Sequence, residues 1–335
     1  MGAGSVGCLV GGRLAAAGAR VHFIGRPRVV EVRRTEGLTL SDVEGPTLHV
    51  APDALDALDA LHASELPPDG AAPGLVLLAV KSAGTEAAAA QLACVLPAGT
   101  PVLSLQNGVD NAARAQSAAP QLRVVPGMVP FNVAELAPGH LHRGTQGVLA
   151  AQHDVASTPW LPLFARAGLP LALHADLAPV QWGKLLLNLN NPVNALSRLP
   201  LRAELMQRDW RRCFAGLMDE ALGVLRAAGM EPARVAPVPP RWLPTLLRLP
   251  DARFTRVAAR MLRIDEKARS SMADDVALGR RTEIDALCGE VVRLARAHGL
   301  AAPRNARMLQ LLDGRWPEAP PVMTAGELWS ALKRA

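Results

Sequence analysis

The chain begins inside the motif that most constrains its fold. The run Gly2-Ala3-Gly4-Ser5-Val6-Gly7 makes a G-x-G-x-x-G turn directly after Met1. Such a turn lets a backbone approach a dinucleotide pyrophosphate, and it normally joins a buried β-strand to a helix. The sequel fits: residues 8–17 form an apolar helical stretch, Gly18 stands where a C-cap belongs, and 19–26 read as the next strand. The strand that should precede the turn is missing. Its loss from the centre of a sheet covered on both faces would leave neighbouring strands with unpaired backbone groups. The expectation is a start codon assigned too late, and a chain that is poorly soluble or binds its dinucleotide weakly as written.

Downstream, apolar strands alternate with helices. Residues 38–40 and 47–50, on either side of Glu44-Gly45-Pro46, predict a hairpin. Residues 54–61 predict a helix, 74–81 a buried strand ending in a charge, 85–96 a helix, and 101–107 and 122–125 further strands. This alternation argues for a parallel sheet covered on both faces. Residues 140–151 read as extra β structure at the domain edge. From about residue 178 helices dominate, over 180–197, 209–228, 254–264 and 272–298, with six prolines interrupting 231–250. The expected fold class is α/β: an N-terminal Rossmann-type doubly wound sheet at 1–170, its first strand missing, and an all-helical domain at 171–335.

Composition narrows the function classes. A chain of 335 residues, half of them apolar, can bury two cores. No run approaches the ~18 apolar residues of a membrane span, and no basic segment precedes an apolar one as in a secretory signal. Cys8, Cys94, Cys213 and Cys288 are far apart and predict reduced thiols, hence a cytoplasmic protein. The net charge of +6 comes from scattered arginines with few aromatics, which argues against nucleic-acid binding but suits an anionic cofactor and an acidic substrate. No metal-ligand spacing and no G-x-S-x-G are present.

Several polar residues stand where chemistry would be placed. Lys81 and Asn107 close two strands, and ligands of open α/β sheets bind outside such ends. A strand-end lysine is also an ordinary solvated charge, and Asn107-Gly108 an ordinary turn. Arg26 closes the second strand, where an acid would favour NAD and an arginine accommodates the 2′-phosphate of NADP. Lys184, Asn188 and Asn191 fall at i, i+4 and i+7, an ammonium and two amides on one helical stripe. Asparagine is a poor helix-interior residue, so stability does not explain the stripe. Burial would bring Lys184 toward neutral pH and make it a usable general acid. In the last long helix Ser271 reads as the N-cap, and Asp275, Gly279 and Glu283 share a stripe, with Gly279 open to close packing.

Together these segments resemble the ketopantoate reductase (2-dehydropantoate 2-reductase) family. The resemblance runs through the glycine turn, Ala79-Val80-Lys81-Ser82, Leu105-Gln106-Asn107-Gly108, the Lys184 helix, Ser270-Ser271-Met272 and Arg281-Thr282-Glu283-Ile284-Asp285. It implies NADPH-dependent reduction of ketopantoate to pantoate. Lys184 and Glu283 would be catalytic. Asn107, Asn188, Asn191 and Ser271 would bind substrate, with Asp275 a supporting acid. Gly2, Ala3, Gly4, Ser5, Val6, Gly7, Arg26, Lys81 and Asn107 would hold NADP(H). The partner would be a small 2-oxo acid, with no metal, no nucleic acid and no membrane, in a monomer or homodimer. One departure stands out: Pro192 lies eight residues after Lys184, where the family has its second asparagine, so Asn191, or Asn190, must substitute. A relative acting on another 2-oxo acid, and a cofactor-binding relic without turnover, are the rival readings.

Overall fold

The structure is a computed structural model and describes all residues except 44, 52–62, 65, 71, 260–267, 314–317, 319 and 335. The helix expected at 54–61 lies outside the described residues, as does the end of that expected at 254–264. The chain forms two compact units, Met1–Leu177 and Ala178–Ala335.

The first unit is mixed α/β. In chain order it holds α1 (Ser5–Ala16), β1 (Phe23–Ile24), α2 (Pro27–Glu36), β2 (Leu38–Asp42), β3 (Leu48–Val50), β4 (Ala63–Ser64) and β5 (Val76–Leu78). There follow α3 (Thr85–Val95), β6 (Pro101–Ser104), α4 (Asn111–Ala118), β7 (Arg123–Met128), β8 (Val133–Ala137), β9 (His140–Arg143), β10 (Leu149–Gln152), α5 (Leu161–Arg166) and β11 (Leu171–His174). Strands β5, β6 and β7 are parallel neighbours; β10 then pairs antiparallel with β7, and β11 parallel with β10. The expected hairpin forms between β2 and β3, and the extra β structure joins it: β9 runs parallel to β2 and antiparallel to β8.

The expected strand over 19–26 shrinks to the two residues of β1, paired in parallel with β4. Between β1 and β5, where the glycine-turn motif normally has its own strand, lie residues 1–3. The N–H groups of Gly2 and Ala3 both donate to the Ile24 carbonyl, at 2.8 and 3.0 Å. The Met1 ammonium donates to Leu77 O at 2.9 Å and the Met1 carbonyl accepts from Ala79 N at 2.9 Å. Three residues thus satisfy backbone groups on both flanks that the sequence left unpaired.

Helix α1 buries Cys8, Leu9, Val10 and Leu14 against Phe23, Leu38, Leu40 and Leu141. Arg13, on the same buried side, forms an ion pair with Asp42 of β2. Asp42 also takes a two-pronged contact from Arg143 of β9, at 2.7 and 2.9 Å. Arg143 stacks on the Phe131 ring, 5.4 Å from its centroid. One carboxylate between two guanidiniums compensates charge that burial would otherwise penalise, and it ties α1 to the β2–β9 pair.

The second unit is helical: α6 (Ala178–Asn188), α7 (Asn190–Ser197), α8 (Leu201–Leu205), α9 (Arg208–Ala227), α10 (Leu243–Leu247), α11 (Asp251–Val257), α12 (Ser271–Ala277), α13 (Glu290–Ala297), α14 (Pro303–Leu312) and α15 (Ala325–Lys333). The amphipathic α9 is its spine and buries Trp210, Phe214, Leu217, Met218 and Leu225. Its Arg211 is fully buried yet well served. The guanidinium donates to the carbonyls of Leu205, Leu247 and Leu249, meets Asp251 at 2.9 Å and lies 4.0 Å from the Phe254 ring. The helix expected over 272–298 is broken. α12 stops at Ala277, Gly279 takes a left-handed φ of +59°, and a π-helical turn over Asp285–Gly289 precedes α13. Gly279 is therefore a helix terminator rather than a packing notch, because a Cβ there would meet nothing within 4 Å.

Candidate active site

In the first unit, the three motif glycines have different local reasons. Gly2 has φ +93°, and a Cβ there would stand 2.4 Å from Val80 N and 2.5 Å from the Ala79 carbonyl carbon. A Cβ on Gly7 would stand 2.2 Å from Gly2 O. These two let the turn fold against the segment after β5. Gly4 is exposed, and a Cβ there would meet nothing. It is the N-cap of α1 with no side-chain cap, and the first turn carries no acid. Open backbone N–H groups at a helix N-terminus are what a phosphate requires, so the turn Gly2–Gly7 fits a dinucleotide. Arg26 is exposed just past β1, at the N-cap of α2, again with no acid in the first turn.

Lys81 is exposed at the N-cap of a short 3-10 turn after β5, and Asn107 is partly exposed after β6. A buried polar network holds these two loops. Gln106 Nε2 donates to Val80 O at 3.0 Å and to Thr85 Oγ1 at 2.6 Å, while its Oε1 accepts from Ser104 Oγ at 3.0 Å. Thr85 Oγ1 donates to Asn111 Oδ1 at 2.8 Å, and Asn111 Nδ2 donates to Ser82 Oγ at 3.1 Å and to the Asn107 carbonyl. The carbonyl of Asn107 is thereby fixed, and Gly108, at φ +94°, turns the chain away. Gln106, Thr85 and Asn111 did not emerge from sequence reasoning. Their signal was a run of amides, Gln106-Asn107 and Asn111, beside a strand end.

In the second unit, α6 carries Lys184 and Asn188 one turn apart. Leu189 keeps near-helical angles (φ −62°, ψ −9°), so Asn191 in α7 continues their stripe. The helix expected over 180–197 is thus two helices meeting at Leu189. Lys184, Asn188 and Asn191 are each partly exposed, whereas Asn190 is buried. Burial lowers the Lys184 ammonium to about 8, and the nearby charge of Glu283 opposes that fall. Lysine and glutamate are thus brought within electrostatic reach. Glu283 sits in the irregular segment before the π-helical turn, a feature frequent at functional sites.

Ser271 is exposed as the first residue of α12, but it is not the cap. Ser270 is: its Oγ accepts from Ala273 N at 3.2 Å, because its extended backbone (φ −73°, ψ 151°) aims the hydroxyl at the first turn. Ser270 Oγ also donates to Asn191 O at 3.3 Å, and Ser270 N donates to Asn194 Oδ1 at 2.9 Å. Helices α7 and α12 are therefore stitched together beside Asn191 and Ser271. Asp275 is buried one turn along α12. Among the described residues no cluster of metal-ligating side chains occurs, and no helix is long and apolar enough to cross a membrane.

Comparison with known proteins places the chain in a family. Residues 1–153 match the family model described as ketopantoate reductase PanE/ApbA, and 176–315 match its C-terminal counterpart. The 2-dehydropantoate 2-reductase of Halobacterium salinarum is 30% identical over 309 residues, covering 90% of this chain and 93% of the relative. The crystal structure of a PanE/ApbA family ketopantoate reductase from Ralstonia eutropha JMP134 matches with 30% identity and a TM-score of 0.76, covering 93% of this chain and 96% of its own. D-mandelate dehydrogenase, solved with NADH and anilino(oxo)acetate, shares the fold at 17% identity and a TM-score of 0.74, covering 99% of this chain and 97% of its own.

Proposed function

Because the chain belongs to the ketopantoate reductase family, we propose that it reduces 2-dehydropantoate to pantoate with NADPH, a step toward pantothenate and coenzyme A. The observation that carries this reading is Lys184, an ammonium brought to about 8 by burial, with Glu283 within charge range and two amides on its stripe. The glycine turn receives the pyrophosphate, and Arg26 receives the 2′-phosphate that distinguishes NADPH from NADH. When bound, the reduced nicotinamide supplies the hydride to the keto carbon.

Lys184 gives its proton to the oxygen that becomes the alcohol, and its near-neutral pKa suits a group that must both hold and release it. Glu283 keeps the lysine protonated and accepts from the product hydroxyl. Asn188, Asn191 and Ser271 orient the 2-oxo acid. One preorganised donor at a developing oxyanion is typically worth about 3 kcal/mol. A second reading, reduction of a different 2-oxo acid, is favoured by Pro192 standing where the family has an asparagine. NADPH oxidation against a panel of 2-oxo acids separates the two: the highest kcat/KM falls on ketopantoate in the first case and elsewhere in the second.

A further inference from the structure

Glu204, in the short helix α8, is wholly buried. Its Oε2 accepts from Asn194 Nδ2 at 2.5 Å, and the Asn190 side chain also faces the carboxyl. Its Oε1 and the buried Oδ1 of Asn190 each have no hydrogen-bond partner. Among the described residues no cation pairs with Glu204. An ionised carboxylate there would be desolvated with amide donors alone to offset the loss of water. A proton on Oε1 changes this, because the acid then becomes a donor and the Asn190 amide, turned to present Oδ1, becomes its acceptor. One proton satisfies both orphan atoms.

The acid connects outward through side chains. Asn194, itself fully buried, donates to Glu204 and to Leu199 O, while its Oδ1 accepts from Ser270 N. Ser270 then caps α12 and donates to Asn191 O. The chain of contacts ends at Asn191 and at the first turn of α12, which begins with Ser271. We propose that Glu204, held as a neutral acid, is a positioning residue that fixes Asn191 and Ser271 through Asn194 and Ser270, and that its ionisation loosens both.

This rests on the reading of Asn191 and Ser271 as substrate contacts. Burial pushes the carboxyl up to about 8, which places the transition just above neutral pH. Among the described residues, the helices packed against Glu204 do not supply a competing switch. Helix α7 presents no titratable side chain. Helix α9 presents Cys213, whose thiol burial raises to about 12, and Arg211, committed to three carbonyls and Asp251. On α8 itself Arg202 is exposed.

The test compares wild type, Glu204→Gln and Glu204→Ala as full chains between pH 6 and 10. With NADPH and the best 2-oxo acid of the panel, wild-type kcat/KM should fall above pH 8 with a limiting slope of −2, one proton each for Lys184 and Glu204. Glu204→Gln carries the neutral donor permanently, so its slope should be −1, and its advantage over wild type should reach about 10-fold at pH 9. Glu204→Ala should raise KM more than it lowers kcat, and glutamine should rescue it. Amide hydrogen exchange gives a readout independent of turnover. After correction for intrinsic rate, protection of residues 190–194 and 270–273 should drop above pH 8 in wild type and persist in Glu204→Gln. Absence of turnover on every 2-oxo acid would sink the functional reading alone. Unchanged wild-type protection from pH 7 to 9.5, or identical pH behaviour in wild type and Glu204→Gln, would overturn the proposal for Glu204.

Discussion

Substituting alanine at Gly4 and at Gly2 separates the proposed cofactor role of the turn from its structural role. At Gly4 the backbone angles (φ −84°, ψ −170°) suit any L-residue, and the new Cβ meets no protein atom within 4 Å. Two small terms then oppose one another. Alanine restricts the unfolded chain, worth about 0.4–1 kcal/mol in favour of folding, and is a poorer N-cap than glycine by a similar amount. Gly4→Ala should therefore melt within ~2 °C of wild type. Its methyl nevertheless fills the space a phosphate must enter to reach the N–H groups of α1. Loss of one charged hydrogen bond, about 1.5–3 kcal/mol, weakens NADPH binding roughly 10- to 150-fold.

Gly2→Ala behaves in the opposite way. Its φ of +93° strains any side chain, and the Cβ would overlap backbone atoms of Ala79 and Val80, which have no free end to move. Strain and overpacking together cost about 2–6 kcal/mol. In a unit of this size that lowers Tm by roughly 5–20 °C. The assays are differential scanning calorimetry and titration of each protein with NADPH. If Gly4→Ala kept both wild-type Tm and wild-type affinity, the turn would not be the phosphate site, and the reasoning from its open face would fail.

Lys184→Ala should lower kcat by about 10²–10⁴-fold and change NADPH affinity by less than about 3-fold, read by steady-state kinetics and direct titration. In wild type kcat/KM for reduction should fall above pH 8 as the ammonium deprotonates, and Glu283→Gln should move that fall to lower pH, because the glutamate charge raises the lysine. Arg26→Ala should reduce the kcat/KM preference for NADPH over NADH; equal ratios in both proteins would remove Arg26 from the cofactor site. Asp42→Ala strands two buried guanidiniums and should cost about 3–5 kcal/mol in urea unfolding, whereas Asp42→Asn with Arg143→Leu should recover part of that loss.

The parts of this molecule legible in the sequence are those that repeat a local rule. The glycine turn, the apolar strands at 76–78 and 101–104 and the β2–β3 hairpin follow from periodicity and turn residues. So does the Lys184–Asn188–Asn191 stripe, whose spacing survives the change of helix at Leu189. The failures arise where tertiary contacts override a local pattern. Residues 272–298 have continuous helical periodicity, yet Gly279 adopts φ +59° and the chain resumes through a π-helical turn. Ser271 has the composition of an N-cap, but Ser270 is chosen because its amide reaches Asn194 and its hydroxyl reaches Asn191. A local window cannot see a partner 76 residues away. Tertiary pairing also hid Glu204, whose partner Asn194 lies on another helix 10 residues away, and the Gln106–Thr85–Asn111 network, whose partners lie 21 and 26 residues apart.

Four wholly or partly buried charges show how differently one chain can treat the same electrostatic problem. Asp42 is compensated by two arginines, and Arg211 by three carbonyls and a carboxylate, contacts that suit scaffolding. Lys184 and Glu204 are handled otherwise. Lys184 receives partial compensation from Glu283, and Glu204 receives amides alone, so burial brings both to about 8 from opposite directions. For Glu204 the linkage has a definite sign. Between pH 4.5 and about 8 the folded chain holds a proton the unfolded chain has released, so stability falls as pH rises through that window and levels off above it. Shifting the carboxyl that far corresponds to an ionisation penalty on the order of 5 kcal/mol, large against the ~5–15 kcal/mol net stability of a domain. A well-packed leucine would avoid it. An acid kept at such a cost, one amide away from the segment that seats Asn191 and caps α12, is better explained by the geometry it maintains there than by the stability of the helical unit.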